Sequence, residues 1–215
     1  DREKMSKSLG NFFTIREILD KFDPEVVRFF LLSTHYRSPI EFSDELLREA
    51  ELSIDRYYTT VIRIQDFLKG GPSAAKPSPE AQSMEETLTA FKDKFEAAMD
   101  DDFNTAMAMG HIFEMIREVN KFLDTRPSGE EARELMVRAG DLLEQSGDVL
   151  NIFNKRPEGW YDALMLTKRV PYTREDILRK IQERQEARQR KDWAAADAVR
   201  KELEEQGVLL EDKKD

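Results

Sequence analysis

Two lysines three positions apart stand among small polar residues near the start of the chain. Within EKMSKSLGNFF, residues 3–13, the residues that could do chemistry are Lys4, Ser6, Lys7, Ser8 and Gly10. Ammonium groups on flexible stems act as point charges, and small neighbours let the backbone close over a ligand. Such a loop can stabilise charge that develops on phosphate oxygens as a bond breaks. The glycine-rich cradle of a P-loop is missing. The pattern thus indicates either a phosphate-handling loop or an exposed polar turn.

A second set of cations shares one face of a helix that we predict near the C-terminus. These residues recur at steps of three and four, and they are Lys180, Arg184, Arg188 and Lys191. A basic helical stripe can follow the phosphates of a nucleic acid. The alternative is a solvated helix with ion pairs between successive turns, such as Asp176 with Lys180. The pattern alone leaves both interpretations open.

Several other residue types invite a functional reading. Tyr57 and Tyr58 could stack on bases, but their helical spacing predicts core positions. Trp193 follows a predicted helix start beside Lys191, so it remains a candidate for base stacking. The three acids in DDDF, residues 100–103, could hold a hard cation, but three consecutive side chains diverge on a helix. We expect them instead to favour the positive N-terminal end of a helix.

Composition restricts the classes of function. The chain has 215 residues and a net charge of −10, so any contact with a polyanion requires a local basic face. The absence of cysteine excludes disulfides, thiolate metal ligands and a cysteine nucleophile, and with two histidines we expect no metal site. No apolar run approaches the roughly 20 residues that span a bilayer, and nothing resembles a signal peptide. We therefore expect a cytoplasmic protein with no membrane partner. The opening residues DREK indicate an internal position in a longer chain.

The elements that must position these residues are mainly helices. Thr14 with Glu17 predicts a capping box, Asp23 before Pro24 a second helix start, and Ser43 the cap of a long helix. The apolar stripe of that helix comprises Leu47, Ala50, Ile54, Tyr57, Val61, Ile64 and Leu68. After a linker at residues 70–79, Ser83 and Glu86 predict another capping box.

Three further helices are predicted after the linker, which together with the first long helix indicate a helical bundle. Their apolar positions are, in turn, Met84, Leu88, Phe91, Phe95 and Ala98; Phe103, Met107, Gly110, Phe113 and Phe122; and Leu135, Met136, Leu142 and Leu143. A short helix is expected around Tyr161. Thr173 and Asp192 begin two more helices, and residues 208–212 are a strand candidate, which gives a small C-terminal α+β domain.

The sequence KMSKS at residues 4–8 resembles the mobile signature loop of class I aminoacyl-tRNA synthetases. The resemblance extends to DPEVVRFFLLSTHYRSPIEFSDELL (23–47), DDDFNTAMA (100–108) and KDWAAADAVRKELEEQGVLLED (191–212), which are similar to segments of cysteinyl-tRNA synthetases. It implies four regions: the end of the catalytic domain (1–13), a stem-contact segment (14–45), a helical bundle (46–170) and an anticodon-binding domain (171–215). His35 is then a structural or stem-contact residue.

The resemblance also implies an activity. The family activates cysteine with ATP and Mg²⁺, forms cysteinyl-adenylate and transfers cysteine to tRNA-Cys. Lys7 would bind ATP and stabilise the transition state, Lys4 would support it, and Met5, Ser6 and Ser8 would line the ATP site. Lys180, Arg184, Arg188, Lys191 and Trp193 would contact tRNA. The family's Zn²⁺ site and amino-acid pocket precede the signature loop, so we expect this chain to be inactive alone, and a monomer.

Two other interpretations remain open at this point. A ligase that joins cysteine to an amino sugar shares the front motif but resembles the chain poorly after the bundle, and residues 173–212 argue against it. A non-catalytic helical module that binds tRNA is the second alternative.

Overall fold

The computed structural model describes residues 13–70, 79–168 and 170–210. The described residues are mainly α-helical, as predicted. The helices are α1 (Ile15–Leu19), α2 (Pro24–Leu32), α3 (Asp44–Lys69), α4 (Pro79–Asp100), α5 (Thr105–Asp124), α6 (Glu130–Leu150), α7 (Pro157–Lys168), α8 (Arg174–Gln189) and α9 (Trp193–Glu205). Within residues 13–70, 79–168 and 170–210, every helix is too short or too polar to cross a lipid bilayer.

The first three helix starts follow the predicted caps. The side chains of Thr14, Asp23 and Ser43 each accept a hydrogen bond from a backbone N–H of the first turn that follows. The predicted cap at Ser83 is wrong, because α4 already begins at Pro79 and Ser83 lies inside it. Proline is favoured in the first helical turn, where its missing N–H leaves no hydrogen bond unmade.

The long helices α3, α4, α5 and α6 bury their apolar faces against one another. The predicted stripe of α4 is fully buried, and so is most of that of α3. The predicted face of α5 is correct at Phe122 but wrong at Phe103 and Met107, which are exposed. Its buried face instead comprises Ala108, Met109, Ile112, Met115, Ile116, Val119 and Phe122. The helix begins only at Thr105, so Phe103 precedes it.

The chain divides into two compact units, residues 1–157 and 158–215. The first unit contains α1 to α6. The second contains most of α7 together with α8 and α9, which pack against each other. The predicted boundary between residues 170 and 171 lies after α7, so the observed division assigns that helix differently. Residues 208–210, which we predicted to begin a strand, form none, and residues 211–212 lie outside the described residues.

Candidate nucleic-acid interface

The lysine loop, residues 4–8, lies outside the described residues. The predictions for Lys4, Met5, Ser6, Lys7 and Ser8 therefore stay predictions. The structure does describe how the chain continues after it. The Thr14 N–H and hydroxyl donate to Glu17 Oε2 at 2.7 and 2.9 Å, and these hydrogen bonds lower the pKa of the Glu17 carboxyl. The first helix that the structure describes after the loop therefore has a fixed start, at Thr14.

The predicted cationic stripe of α8 does not face solvent along its whole length. The ammonium of Lys180 lies 2.7 Å from Glu202 Oε2 on α9, and Arg184 is buried. The Glu202 carboxylate also accepts a hydrogen bond from the Tyr172 hydroxyl at 2.8 Å. The hydrogen bond to Glu202 raises the pKa of Lys180, because the carboxylate stabilises the charged ammonium. Lys180 and Arg184 therefore lie off the exposed part of the stripe, and their predicted contact with tRNA stays a prediction.

The alternative prediction of an ion pair between Asp176 and Lys180 is wrong, because each of these residues has a different partner. Asp176 pairs instead with Arg179, at 2.6 Å, and accepts a hydrogen bond from the Thr173 hydroxyl that caps α8. The capping bonds from Thr173 lower the pKa of Asp176. Lys180 is drawn to α9 because Glu202 lies across the packed helix pair.

The outer end of the stripe forms an exposed cationic turn between α8 and α9, which we define as residues 188–193. Its exposed side chains include Arg188, Arg190 and Lys191, and Trp193 is 59% exposed. The backbone of the turn is closely hydrogen bonded, with the Asp192 N–H donating to the Ala187 carbonyl at 2.9 Å. The Asp192 carboxylate then caps α9 through the Ala195 N–H. An indole and three cations are thus presented together from a fixed turn.

The three acids of residues 100–102 have another role than the predicted one. Asp100 ends α4, and Asn104, rather than an aspartate, caps α5. Asp102 accepts hydrogen bonds from the Tyr36 hydroxyl at 2.8 Å and from Arg37 at 3.0 Å. Asp102 thus helps to join the loop after α2 to the segment before α5. In the part of the chain that the structure describes, no three His, Cys, Asp or Glu side chains come together as metal ligands would.

The two histidines each lie beside a carboxylate. His35 stacks on Tyr36 with ring centres 5.0 Å apart, and its Nε2 lies 4.0 Å from Asp102. His111 lies 3.4 Å from Glu114 Oε2. The bond to His111, with Lys94 nearby, lowers the pKa of Glu114. Both imidazoles are partly buried and make contacts within the fold.

A groove of about 550 Å³ runs between α3 and α5. Its cations Arg56, Arg117 and Lys121 alternate with the acids Glu114 and Asp124. Because the two signs nearly balance, the groove offers a polyanion little net attraction. The cationic turn is the stronger candidate for a nucleic-acid contact.

Sequence reasoning missed a buried polar cluster in the first unit. Tyr57 and Tyr58 are buried, as predicted, but the Tyr58 hydroxyl donates a hydrogen bond to Glu25. Glu25 and Asp23 are bonded in turn to Lys155, which lies 130 residues after Glu25. No local spacing could reveal this cluster, because its members come from three distant segments.

Comparison with known proteins assigns families to two parts of the chain. The model of the tRNA synthetases class I (C) catalytic domain matches residues 1–52, which include the lysine loop, α1 and α2. The model of the DALR domain matches residues 94–154, which cover α5, α6 and the end of α4.

Curated relatives match the chain over nearly its whole length. The cysteine–tRNA ligase of Thermodesulfovibrio yellowstonii is 47% identical over 215 residues, which are 100% of this chain and 44% of the relative. The cysteine–tRNA ligase of Geobacter metallireducens is 45% identical over 98% of this chain, again 44% of the relative. The chain therefore spans less than half the length of these relatives. These matches show that the chain belongs to the cysteinyl-tRNA synthetase family, of which it represents a partial chain.

Proposed function

We propose that the chain is the C-terminal part of a cysteine–tRNA ligase. The ligase would activate cysteine with ATP to cysteinyl-adenylate and pyrophosphate, and then transfer the cysteine to tRNA-Cys. The observation that carries this proposal is the 47% identity to a named cysteine–tRNA ligase along the entire chain. That match includes residues 173–212, the segment in which an amino-sugar ligase would differ.

The lysine loop would serve the activation step. Pyrophosphate leaves as a heavily charged group, so a mobile ammonium that reaches the phosphates when ATP is bound would favour the transition state. Lys7 would supply this charge, with Lys4 in support, and Met5, Ser6 and Ser8 would complete the loop around ATP and its Mg²⁺.

A zinc site does not fit the residues of this chain. It contains no cysteine, and its two histidines contact residues of different helices and loops. We therefore assign any zinc ion of the ligase, together with its cysteine pocket, to the part of the protein outside this chain. No step of the reaction is expected from this chain alone, which we expect to be a monomer.

The cationic turn would contact tRNA. Arg188 and Lys191 would bind phosphates, and the exposed indole of Trp193 would stack on an unpaired base. Lys180 and Arg184 lie within the unit rather than on its outer face, so they would contribute to tRNA binding from beneath the cationic turn.

The first test is cysteine-dependent pyrophosphate exchange by the full-length ligase with Lys7→Ala. Removal of one contact to a developing charge lowers rates by about 10²–10³-fold, so we expect a decrease of this size with unchanged circular dichroism. Lys92→Ala, a change at an exposed α4 lysine, is the matched control and should retain full activity. Exchange that does not require cysteine, or that Lys7→Ala leaves unchanged, would contradict the proposal.

A further inference from the structure

Four polar side chains meet where α2, α3 and the segment after α6 come together. We call Asp23, Glu25, Tyr58 and Lys155 the buried polar cluster. The Lys155 ammonium lies 2.8 Å from Asp23 Oδ1 and 2.9 Å from Glu25 Oε2. The Tyr58 hydroxyl donates to Glu25 Oε1 at 3.0 Å and accepts from the backbone N–H of Lys155 at 3.2 Å. The cluster therefore binds three separate segments to one another.

The two carboxylates have little access to water. The side chains of Asp23 and Glu25 are only 8% and 6% exposed, whereas that of Lys155 is 31% exposed. Buried charges are tolerated when they are paired and hydrogen bonded. Burial by itself would lower the pKa of Lys155, but hydrogen bonds to Asp23 and Glu25 outweigh it and raise that pKa. The cluster thus keeps its cation at neutral pH.

The segment that carries Lys155 has an unusual backbone. Asn151 and Phe153 adopt left-handed conformations, with φ of 51° and 61°. The N–H of Phe153 donates to Glu25, and its ring stacks on Tyr57 with centres 3.7 Å apart. Such conformations persist where surrounding contacts determine them fully. The position of Lys155 relative to α2 is therefore closely specified.

The cluster joins two regions that the family models treat separately. Asp23 and Glu25 begin α2, inside the part that matches the catalytic domain. Lys155 immediately follows the part that matches the DALR domain, five residues after the end of α6. A buried ion pair adds little net stability compared with apolar packing, and in some proteins it serves to select one geometry. The second role is relevant here, because the cluster links the start of α2 to the segment that follows α6.

We propose that Lys155 is a positioning residue for the tRNA-dependent step of the ligase. This inference rests on the proposed function. Activation would need the lysine loop and the catalytic domain, which precede or include α2 in the sequence. Transfer of cysteine would also need the tRNA, which would be held by regions that follow α2 in the sequence. Loss of Lys155 should therefore affect transfer more than activation.

The expected size of the effect depends on how far a small rotation at the cluster displaces the end of α6. The 21 residues of α6 extend over about 30 Å, at 1.5 Å per residue. A rotation of roughly 5° at the cluster would displace the far end of that helix by about 3 Å. A misplacement of about 1 Å at reacting groups can cost 10²-fold in rate. If a displacement of this kind is passed on to the bound tRNA, a small angular error at Lys155 would be sufficient to slow transfer, and the test below measures whether it is.

The test compares the two half-reactions in full-length ligase with Lys155→Met and Lys155→Arg. For Lys155→Met we expect pyrophosphate exchange within about twofold of wild type, and kcat/KM for aminoacylation of tRNA-Cys at least tenfold lower. Lys155→Arg retains the positive charge and should recover most of the loss. Lys92→Met is the matched control, because Lys92 forms an exposed ion pair on α4; it should change neither reaction.

The opposite results are equally clear. Equal losses in both half-reactions, with a lower Tm, would show a merely structural role and overturn the proposal, as would unchanged aminoacylation. If Lys155→Met does not fold, Tyr58→Phe removes one hydroxyl from the same cluster and should produce the same split to a smaller extent. A wild-type ligase that neither exchanges pyrophosphate nor charges tRNA-Cys would overturn the proposed function, and with it this role. An active wild type without the split would overturn only the role of Lys155.

Discussion

Trp193 presents 59% of its surface to solvent at the first position of α9, whereas Trp160 in the same unit is fully buried. Tryptophan is highly buried on average, so an exposed indole beside cations is informative. Arg188 and Lys191 lie in the same turn, where they could hold the phosphates on either side of a base stacked on Trp193. We therefore expect RNA affinity to depend on this side chain more than on other exposed residues of α9.

The corresponding test uses Trp193→Ala in the chain of residues 1–215. Stacking of one base contributes about 1–3 kcal/mol, so binding of tRNA-Cys should weaken by about 5- to 150-fold. Fluorescence anisotropy of labelled tRNA measures this change at fixed salt. Trp193→Phe should retain most of the affinity, because a ring remains. Lys201→Ala is the control for loss of an exposed side chain on α9 and should have a smaller effect. Equal affinity of wild type and Trp193→Ala would contradict the stacking role.

At the scale of single elements, α6 contains two glycines in very different surroundings. A Cβ at Gly147 would lie 2.8 Å from the carbonyl oxygen of Ile152 and 3.3 Å from Cβ of Phe153. The Ile152 N–H also donates to the Gly147 carbonyl at 3.0 Å, which closes the helix end. A Cβ at Gly140 would have no such neighbour within 4 Å. Of these two glycines, only Gly147 is required for the close approach of Ile152 and Phe153 to the end of α6.

The same substitution should therefore have opposite effects at the two positions. Gly147→Ala should reduce the free energy of unfolding by about 1–3 kcal/mol, because the backbone of Ile152 must move. Gly140→Ala should raise it by up to about 1 kcal/mol, since alanine favours a helix interior over glycine. Urea unfolding followed by far-UV circular dichroism measures both. A similar loss in the two variants would show that the contact at Gly147 has no specific effect.

The helices of the bundle were predictable where local signals agree. The caps at Thr14, Asp23 and Ser43 and the stripe of α4 needed only neighbours within a few residues. The buried face of α5 was not predictable in this way. The large apolar side chains of Phe103 and Met107 suggested an apolar stripe that starts before the helix begins. The buried face includes the small Ala108, whose burial depends on its packing partners.

The candidate sites, too, could be predicted from the sequence only where local spacing was sufficient. Spacing correctly predicted that Lys180, Arg184 and Arg188 share a helical face, but the inclusion of Lys191 is wrong, because α8 ends at Gln189. Spacing alone also does not reveal what that face packs against. Glu202 lies 22 residues after Lys180 in sequence, and its ion pair with that lysine forms only when α8 and α9 pack. The buried polar cluster joins residues still further apart, so neither site could be derived from local pattern.

At the scale of the whole molecule, the two units differ in how much apolar surface they bury. Among the described residues of the second unit, the buried apolar side chains are Trp160, Ala187, Ala196 and Leu203. The first unit buries many more, across four long helices. Because apolar burial is the dominant favourable contribution to folding, we expect the second unit to be less stable.

Both tryptophans of the chain belong to the second unit, which makes this difference measurable. In urea, tryptophan emission should change at a lower concentration than far-UV circular dichroism, which mainly follows the longer helices of the first unit. The transition seen by emission should have an m-value of about 1 kcal/mol/M, as expected for a small unit. Trp193→Phe should preserve the early transition through Trp160. Coincident transitions would show that the two units unfold together.

The cationic turn has a consequence for the proposed binding of RNA. The chain carries a net charge of −10, yet Arg188, Arg190 and Lys191 are exposed together on one turn. Long-range electrostatic forces bias the approach of a charged partner before any contact forms. An RNA that approaches the acidic remainder of the surface is repelled, and one that approaches the turn is attracted. Under the proposed function, the acidity of the chain would therefore favour encounters in which the cationic turn faces the RNA, because other orientations are repelled.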